Sequence, residues 1–391
     1  MQLTAFYYVV KCSAMHNNRY LGPAITHDLK EKMVFLGGAR QVGKTTFAKQ
    51  LLRSASSAHY LSWDSLDDRK LILTNKIPTD SKLVVLDEIH KYRLWRTVVK
   101  GYFDKFFPKS NLLVTGSARL DHFRKGGDSL VGRYHYFRLH PFTLPEISVR
   151  CEPDHLQALL KFGGFPEPFV KHDSRQLKRW QRERVSRVVT QDLRDLEFVK
   201  DISLIELLCE LLYDRVASLL SIKSLSEDLS VSPHTVSHWL EILENLYFCY
   251  RLSPYGTKSP RAIKKTQKLY LWDWSQCTND GAFFENLVAG HLLKFCHFHQ
   301  DYNGDKMSLH YIRDVDGKEL DFIVVKNKQP LFAVECKIGE KQIQPSVSFF
   351  QKKFNIPKVY QVHLGDTDLG NAEKGGRVLP FHRFCLEEGM I

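Results

Sequence analysis

Apolar residues in the first third of the chain collect in short unbroken runs: VFL in KMVFLGG, LVVL in LVVLDEIH and LLV in NLLVTGSAR. Each run is closed by glycine, acidic or hydroxyl residues, a pattern that predicts strands buried in a parallel sheet with polar chemistry at their C-terminal ends. After the first run Phe47, Leu51 and Leu52 recur at helical spacing, so KMVFLGGARQVGKTTFAKQLL predicts strand, glycine-rich turn and helix. From about 151 to 215 the period is helical, as in LKRWQRERVSRVVTQDLRDLEFV and LIELLCELLYDRVASLL, and a helical lid is expected. Residues 216–260 carry a short helix, a turn at SVSP and a second helix with Val236, Leu240 and Leu243 on its inner face. That order looks like a winged helix-turn-helix. Beyond it, GAFFENLVAGHLLKF predicts an amphipathic helix. ELDFIVVKN and QPLFAVECKIG predict two strands joined by a polar turn containing Pro330, followed by a helix around SVSFFQKKF and a strand at KVYQVHL.

The turn after the first strand has the spacing of a phosphate-binding loop, GARQVGKTT. Gly38 and Gly43 let the backbone through Ala39, Arg40, Gln41 and Val42 curl so that its N–H groups face the β-phosphate of ATP. The positive end of the helix that begins near Thr46 assists. Lys44 reaches the β/γ oxygens and the Thr45 hydroxyl serves Mg²⁺. In LVVLDEIH, Asp87 is expected to hold the Mg²⁺ shell and Glu88 to polarise the attacking water. This second acid favours hydrolysis over transfer to another hydroxyl, so a small-molecule kinase fits poorly. In NLLVTGSAR, Ser117, with Thr115 second, is placed to sense the γ-phosphate. Arg133 in DSLVGRYHYFRL is read either as a stabiliser of transition-state charge in a neighbouring subunit of a homo-oligomer or as a surface arginine.

With 391 residues, two or three domains of about 150 residues are expected. The apolar runs fall short of the roughly 20 residues a membrane-spanning helix needs, so no membrane partner is expected. MQLTAFYYVVKCSAM has neither a basic start nor a small-residue cleavage site, so no secretory signal is expected. Residues 1–18 read as an extension, with Met15 as the expected start. Eight cysteines without CxxC pairs point to the cytoplasm.

A net charge of +12 favours a polyanionic partner; nucleic acid is the expected one, with DNA ahead of RNA, a preference on which composition is silent. His234, Thr235, Ser237 and His238 begin the second helix of the winged segment and would face a DNA groove, while Glu241 and Glu244 oppose deep contact; a protein-packing role stays open. KSPRAIKKTQK, with Lys258, Arg261, Lys264, Lys265 and Lys268 and no acid, is the better electrostatic candidate. Asp192 and Asp195, one turn apart, read as a solvated helix face. His291, Cys296, His297 and His299 lack partner ligands at zinc spacing and read as a surface helix end.

GARQVGKTT, VVLDEIH, LLVTGSAR, SLVGRYHYFRLHPFTLPEI and GGFPEPF together resemble the predicted bacterial and archaeal AAA+ ATPases that carry an uncharacterised C-terminal domain. The resemblance runs from about Arg19 across nearly the whole chain. It implies an α/β fold with an AAA+ P-loop core over 19–150, a helical region over 151–215, a winged-helix-like segment over 216–260 and a domain similar to PD-(D/E)xK nucleases (restriction-endonuclease-like) over 261–391. In such nucleases Asp321 and Glu335 would bind a second divalent metal, Lys337 would orient water or stabilise charge on phosphate, and Glu285 would be an accessory acid. Leu320 stands where the named motif has proline. Two functions follow as expectations: a Mg²⁺-dependent ATPase coupled to a nucleic-acid-binding, metal-dependent nuclease domain, or an ATP-driven switch whose nuclease-like domain is inert.

Overall fold

The computed structural model describes residues 19–78, 80–117, 130–187, 201–256, 266–339 and 342–391. They form two compact units, one built on 19–140 with 245–247, the other on 141–186, 201–244 and 248–391. Met15 and the rest of 1–18 lie outside the described residues, as do Asp192, Asp195, Lys258, Arg261, Lys264 and Lys265.

The first unit holds β1 (Met33–Gly38), β2 (Ala58–Ser62), β3 (Leu83–Asp87), β4 (Asn111–Gly116) and β5 (Tyr134–Leu139). They form a parallel sheet in the order β2-β3-β4-β1-β5. Every residue of β1 and β3 is buried, while the edge strands β2 and β5 mix buried and part-exposed positions. Central strands covered on both faces need continuous apolar runs; edge strands tolerate His59, His135 and Arg138. Phe35, Leu86 and Val114 from the sheet share a core with Trp95 and Val99 of the helix Trp95–Phe106. Each such side chain contributes about 1.5–3 kcal/mol by leaving water. The register sets Ser62 level with Asp87 and Asp87 level with Thr115, and pairs Leu36 with Thr115. The carboxyl ends of the strands therefore share one edge, where ligands of parallel sheets bind.

The second unit begins with the helices Leu144–Ile147, Pro153–Phe162, Pro166–Lys171, Ser174–Arg187 and Ile202–Tyr213. The helices Ile222–Asp228 and Pro233–Asn245 follow, then the antiparallel pair β6 (Cys249–Leu252) and β7 (Lys268–Leu271). Val236, Leu240 and Leu243 are buried as the periodicity predicts, joined by Trp239 and Ile242. A six-stranded sheet of order β12-β13-β11-β10-β9-β8 follows. It consists of β8 (Met307–Arg313), β9 (Glu319–Lys326), β10 (Gln329–Cys336), β11 (Val359–His363), β12 (Leu369–Asn371) and β13 (Gly376–Pro380). Strands β8, β9 and β10 run antiparallel, and β11 adds to β10 in parallel. Ala333 joins a core with Val347 and Phe350 of the helix Pro345–Phe354. The neighbouring Phe332 packs on Phe295 of the helix Asp280–Asp301, as strand alternation requires. The β9–β10 turn is made by Asn327 and Lys328, both at positive φ (51° and 70°), so Pro330 lies inside β10, opposite Val325.

Two buried polar joints tie the helix Asp280–Asp301 to what precedes it. The Asn286 side-chain amide makes both hydrogen bonds to the Leu271 backbone, each 2.8 Å. Lys294, fully buried, donates to Thr143 at 2.8 Å and to the Glu146 carboxylate. The helix runs to Asp301, so His291 and Cys296 are buried inside it rather than at its surface end, while His299 does stand in its last turn. His291 Nδ1–H donates to the Leu287 carbonyl and Nε2 accepts the Leu144 N–H, which fixes a neutral tautomer. Burial pushes its pKa down to about 3. Among the described residues no helix is long and apolar enough to cross a membrane.

Candidate functional site

The loop between β1 and the helix Lys44–Arg53 turns through three positive φ values: 155° at Gly38, 63° at Gln41 and 98° at Gly43. A methyl group on Gly38 would lie 2.5 Å from the Leu139 carbonyl oxygen, so the approach of β5 demands glycine there. Gln41 holds a left-handed backbone without being glycine, a local cost of roughly 1–3 kcal/mol. Ala39 and Val42 are buried, Arg40 is half-buried, and Thr45 and Thr46 are exposed on the first helical turn. Lys44 is buried and its Nζ donates to the Gly38 and Ala39 carbonyls at 2.9 Å each. Beneath the loop the buried Arg19 guanidinium donates to the Val42 and His140 carbonyls.

Asp87 stands at the end of β3 under three hydroxyls. Its Oδ2 accepts from Thr45 at 2.8 Å and from Tyr60, and its Oδ1 accepts from Thr115. Burial, then the bond to Asp87, keeps the Tyr60 hydroxyl far above its usual pKa, so it remains a donor. A hydroxyl and a carboxylate 2.8 Å apart beside an anion-binding loop are the hard oxygen donors that suit Mg²⁺, which retains most of its waters; Thr45 and Asp87 fit that ion. Glu88 follows at φ 56°, a left-handed turn that carries its carboxylate off the strand line. Ser117 donates to Glu88 Oε2 at 3.1 Å, and His90 Nε2 lies 3.6 Å from the same oxygen. Burial raises the Glu88 pKa, the Lys44 ammonium opposes that rise and Asp87 adds to it. The two hydroxyls of NLLVTGSAR are thus divided: Thr115 serves Asp87 and Ser117 serves Glu88.

Arg133 lies elsewhere. It precedes β5 at the amino edge of the sheet, where its carbonyl accepts the Met33 N–H, and its Nε donates to Asp104 at 2.7 Å. A six-residue strand separates that edge from the loop, a rise of roughly 20 Å. In this chain Arg133 faces away from its own Lys44.

In the second unit Asp321, Glu335 and Glu285 do come together, with a cation among them. The Asp321 N–H donates to Glu335 Oε2 at 3.3 Å, and Asp321 Oδ2 accepts the Cys336 N–H at 2.8 Å. Lys337 donates to Glu335 Oε1 at 2.6 Å. Glu285 Oε1 accepts from Tyr270 at 2.8 Å and from Lys268 Nζ at 3.3 Å. Lys268 also pairs with Glu319 and lies 4.0 Å from Asp321 Oδ1. Burial, then neighbouring negative charge, raises Glu285 to about 8 and Glu335 to about 7, and burial raises Asp321 too. Read from the sequence as part of an exposed basic stretch, Lys268 is 3% exposed: its acids arrive from 285, 319 and 321, far away along the chain. Among the described residues no group of three His, Cys, Asp or Glu side chains is arranged to hold a metal ion.

On the winged segment, His234 and His238 are exposed. The Thr235 hydroxyl shares a hydrogen bond with Ser232, and the Ser237 hydroxyl donates back to the Pro233 carbonyl. Glu244, counted against DNA contact, is neutralised by Arg251 through two bonds of 2.8 and 2.7 Å, which leaves Glu241 as the exposed acid of that pair.

Residues 30–148 match the family model described as AAA domain, 153–278 a domain of unknown function (DUF8612) and 280–384 another (DUF4143). The chain is similar to an uncharacterised protein of Haemophilus influenzae, 22% identical over 336 residues, covering 76% of this chain and 80% of that one. It is also similar to one of Methanocaldococcus jannaschii, 22% identical over 375 residues, covering 86% and 82%. Among solved structures it aligns with a Walker-type ATPase of Pyrococcus abyssi at TM-score 0.41 and 14% identity, covering 64% of this chain and 91% of that one. The Thermotoga maritima RuvB Holliday junction branch migration motor aligns at TM-score 0.30 and 17% identity, covering 64% and 89%. The first unit is an ATPase-like AAA domain on a parallel-sheet P-loop core.

Proposed function

We propose that the chain hydrolyses ATP in a Mg²⁺-dependent reaction at the carboxyl edge of the first sheet, and that this turnover acts on a second unit that docks on nucleic acid, DNA before RNA. The observation that carries the reading is the union of Lys44, Thr45, Asp87 and Glu88 at one edge, with Ser117 on Glu88. The loop N–H groups and Lys44 bind the phosphates, and Thr45 and Asp87 would hold Mg²⁺, which would supply neutralisation of phosphate charge. Glu88 accepts the proton of the attacking water while Ser117 fixes its orientation. Arg133, turned from its own loop, serves a neighbouring copy of the chain in a homo-oligomer.

Phosphate release with and without Mg²⁺ tests this reading. Lys44→Ala is expected to lower turnover by about 100-fold or more through loss of phosphate stabilisation. Unchanged release from that variant would end the assignment. Tyr60→Phe removes one hydroxyl from Asp87, a bond of about 0.5–1.5 kcal/mol, and should raise the Mg²⁺ needed for half-maximal rate about two- to tenfold. Nucleotide affinity measured in EDTA should stay constant; a fall there would make Tyr60 a structural residue instead.

A second reading, an ATP-operated switch with an inert nuclease-like domain, is favoured by one observation: the Lys268 ammonium among Glu285, Glu319 and Asp321.

A further inference from the structure

We propose that Lys268 is a built-in cation: its ammonium takes the place a divalent ion would hold among Glu285, Glu319 and Asp321, so this cluster, with Glu335 and Lys337 beside it, is a permanent non-cleaving centre of the second unit. The inference rests on the nuclease-like reading of that unit and answers which of its two forms applies. The donor oxygens are already engaged. Glu285 Oε1 holds Tyr270 and Lys268, Asp321 Oδ2 holds the Cys336 N–H, and Glu335 splits its oxygens between Lys337 and the Asp321 N–H. A divalent ion requires such oxygens to converge at about 2.0–2.6 Å on one open point, and the ammonium stands there instead.

Lys268 is also a fixture of the fold. Its residue pairs with Leu252 across the β6–β7 ladder, and its ammonium lies 5.5 Å from the Tyr311 ring centroid. Burial works against its charge, but the surrounding acids outweigh it and hold its pKa above the ordinary lysine value. Arg313 adds a second positive partner on Glu319 at 2.9 Å. With cations already supplied by the chain, the cluster gains little from an added ion, and expelling the lysine would bury its charge without partners. A cavity of about 400 Å³, lined by Tyr213, Asp214, Thr278 and Asn279 among others, reaches Glu285, so small ions have access to that acid.

The test uses the full chain without nucleotide, Mn²⁺ as probe, and two readouts: electron paramagnetic resonance of bound Mn²⁺ and the melting temperature. Wild type should show no Mn²⁺ site that Asp321→Asn removes, and its melting temperature should not respond to Mn²⁺. Lys268→Met should melt lower by roughly 10 °C, because Glu285 and Asp321 lose this cation and Glu319 keeps only Arg313, and should regain much of that loss in Mn²⁺. Lys268→Arg should melt near wild type and remain insensitive to the ion. An Asp321-dependent Mn²⁺ site in wild type, or Mn²⁺-dependent plasmid cleavage lost in Asp321→Asn, overturns the proposal. Should Lys268→Met fail to fold, the comparison of wild type with Asp321→Asn decides alone. Since neither binding readout uses ATP, a failure of the ATPase reading leaves this result standing.

Discussion

Glu88→Gln is expected to lower single-turnover ATP hydrolysis by about 100- to 1,000-fold while ATP still binds. The amide keeps the volume and can still accept the hydrogen bond from Ser117, but it cannot take a proton from water. Fluorescent-nucleotide titration and rapid-quench hydrolysis on the same sample separate the two steps. Loss of binding in step with hydrolysis would mean that Glu88 shapes the loop and does no chemistry. The wild-type pH profile provides an independent check. Burial raises the Glu88 pKa, and only the carboxylate can act as base, so the rate should fall as pH drops through that raised value. The fall should begin at higher pH than an ordinary glutamate allows and should be absent from the residual rate of Glu88→Gln.

Above about pH 6.5, where His291 is neutral in the folded and the unfolded chain alike, the second unit should lose stability as pH rises to about 8. Glu285 and Glu335 have folded pKa values near 8 and 7, above the ordinary 4.5, so the folded chain binds more protons than the unfolded one across that window. Their contribution is fully present below the ordinary value and is lost as pH rises through the folded values. It should amount to a few kcal/mol, on the scale of about 1.4 kcal/mol per pKa unit. Hydrogen exchange in the helix Asp280–Asp301, followed from about pH 6.5 to 9 with correction for intrinsic exchange, reads it directly. Glu285→Gln should flatten the trend. Protection that increases with pH in wild type would contradict the assignment.

Much of the candidate nucleotide site is legible in the sequence because its parts are local. GARQVGKTT encodes its own backbone path, and Asp87, Glu88, Thr115 and Ser117 stand where apolar runs stop, which is where a parallel sheet gathers its polar ends. Tyr60 and Arg19 carried no such signal. Tyr60 meets Asp87 only because β2 pairs with β3, and Arg19 meets Val42 and His140 only in the folded sheet. The helix, hairpin, helix and strand of the C-terminal part followed their periods, except that Pro330 was drawn into the turn that Asn327 and Lys328 make. MSLHYIR carries the period-two alternation of β8, but β12 is three residues long and wholly exposed, without an apolar pattern to announce it. Lys268 misled for a physical reason: a charge run looks solvated when its counter-charges are distant in sequence.

The joint between Asn286 and Leu271 has a consequence for heredity. The two segments of unknown function meet at residue 279, yet Leu271 and Lys268 on one side find their partners, Asn286 and Glu285, on the other. Lys294 likewise reaches back to Thr143 and Glu146, before either segment starts. Recombination between relatives at that boundary leaves the Asn286 amide its main-chain partners, which any residue at 271 supplies, but would strand the buried Lys268 ammonium wherever the incoming part lacks its acids. The two segments should therefore be inherited together with residues 143 and 146, and hybrids crossed at residue 279 should keep the parental melting temperature only when the incoming part carries acids at 285, 319 and 321 to meet Lys268.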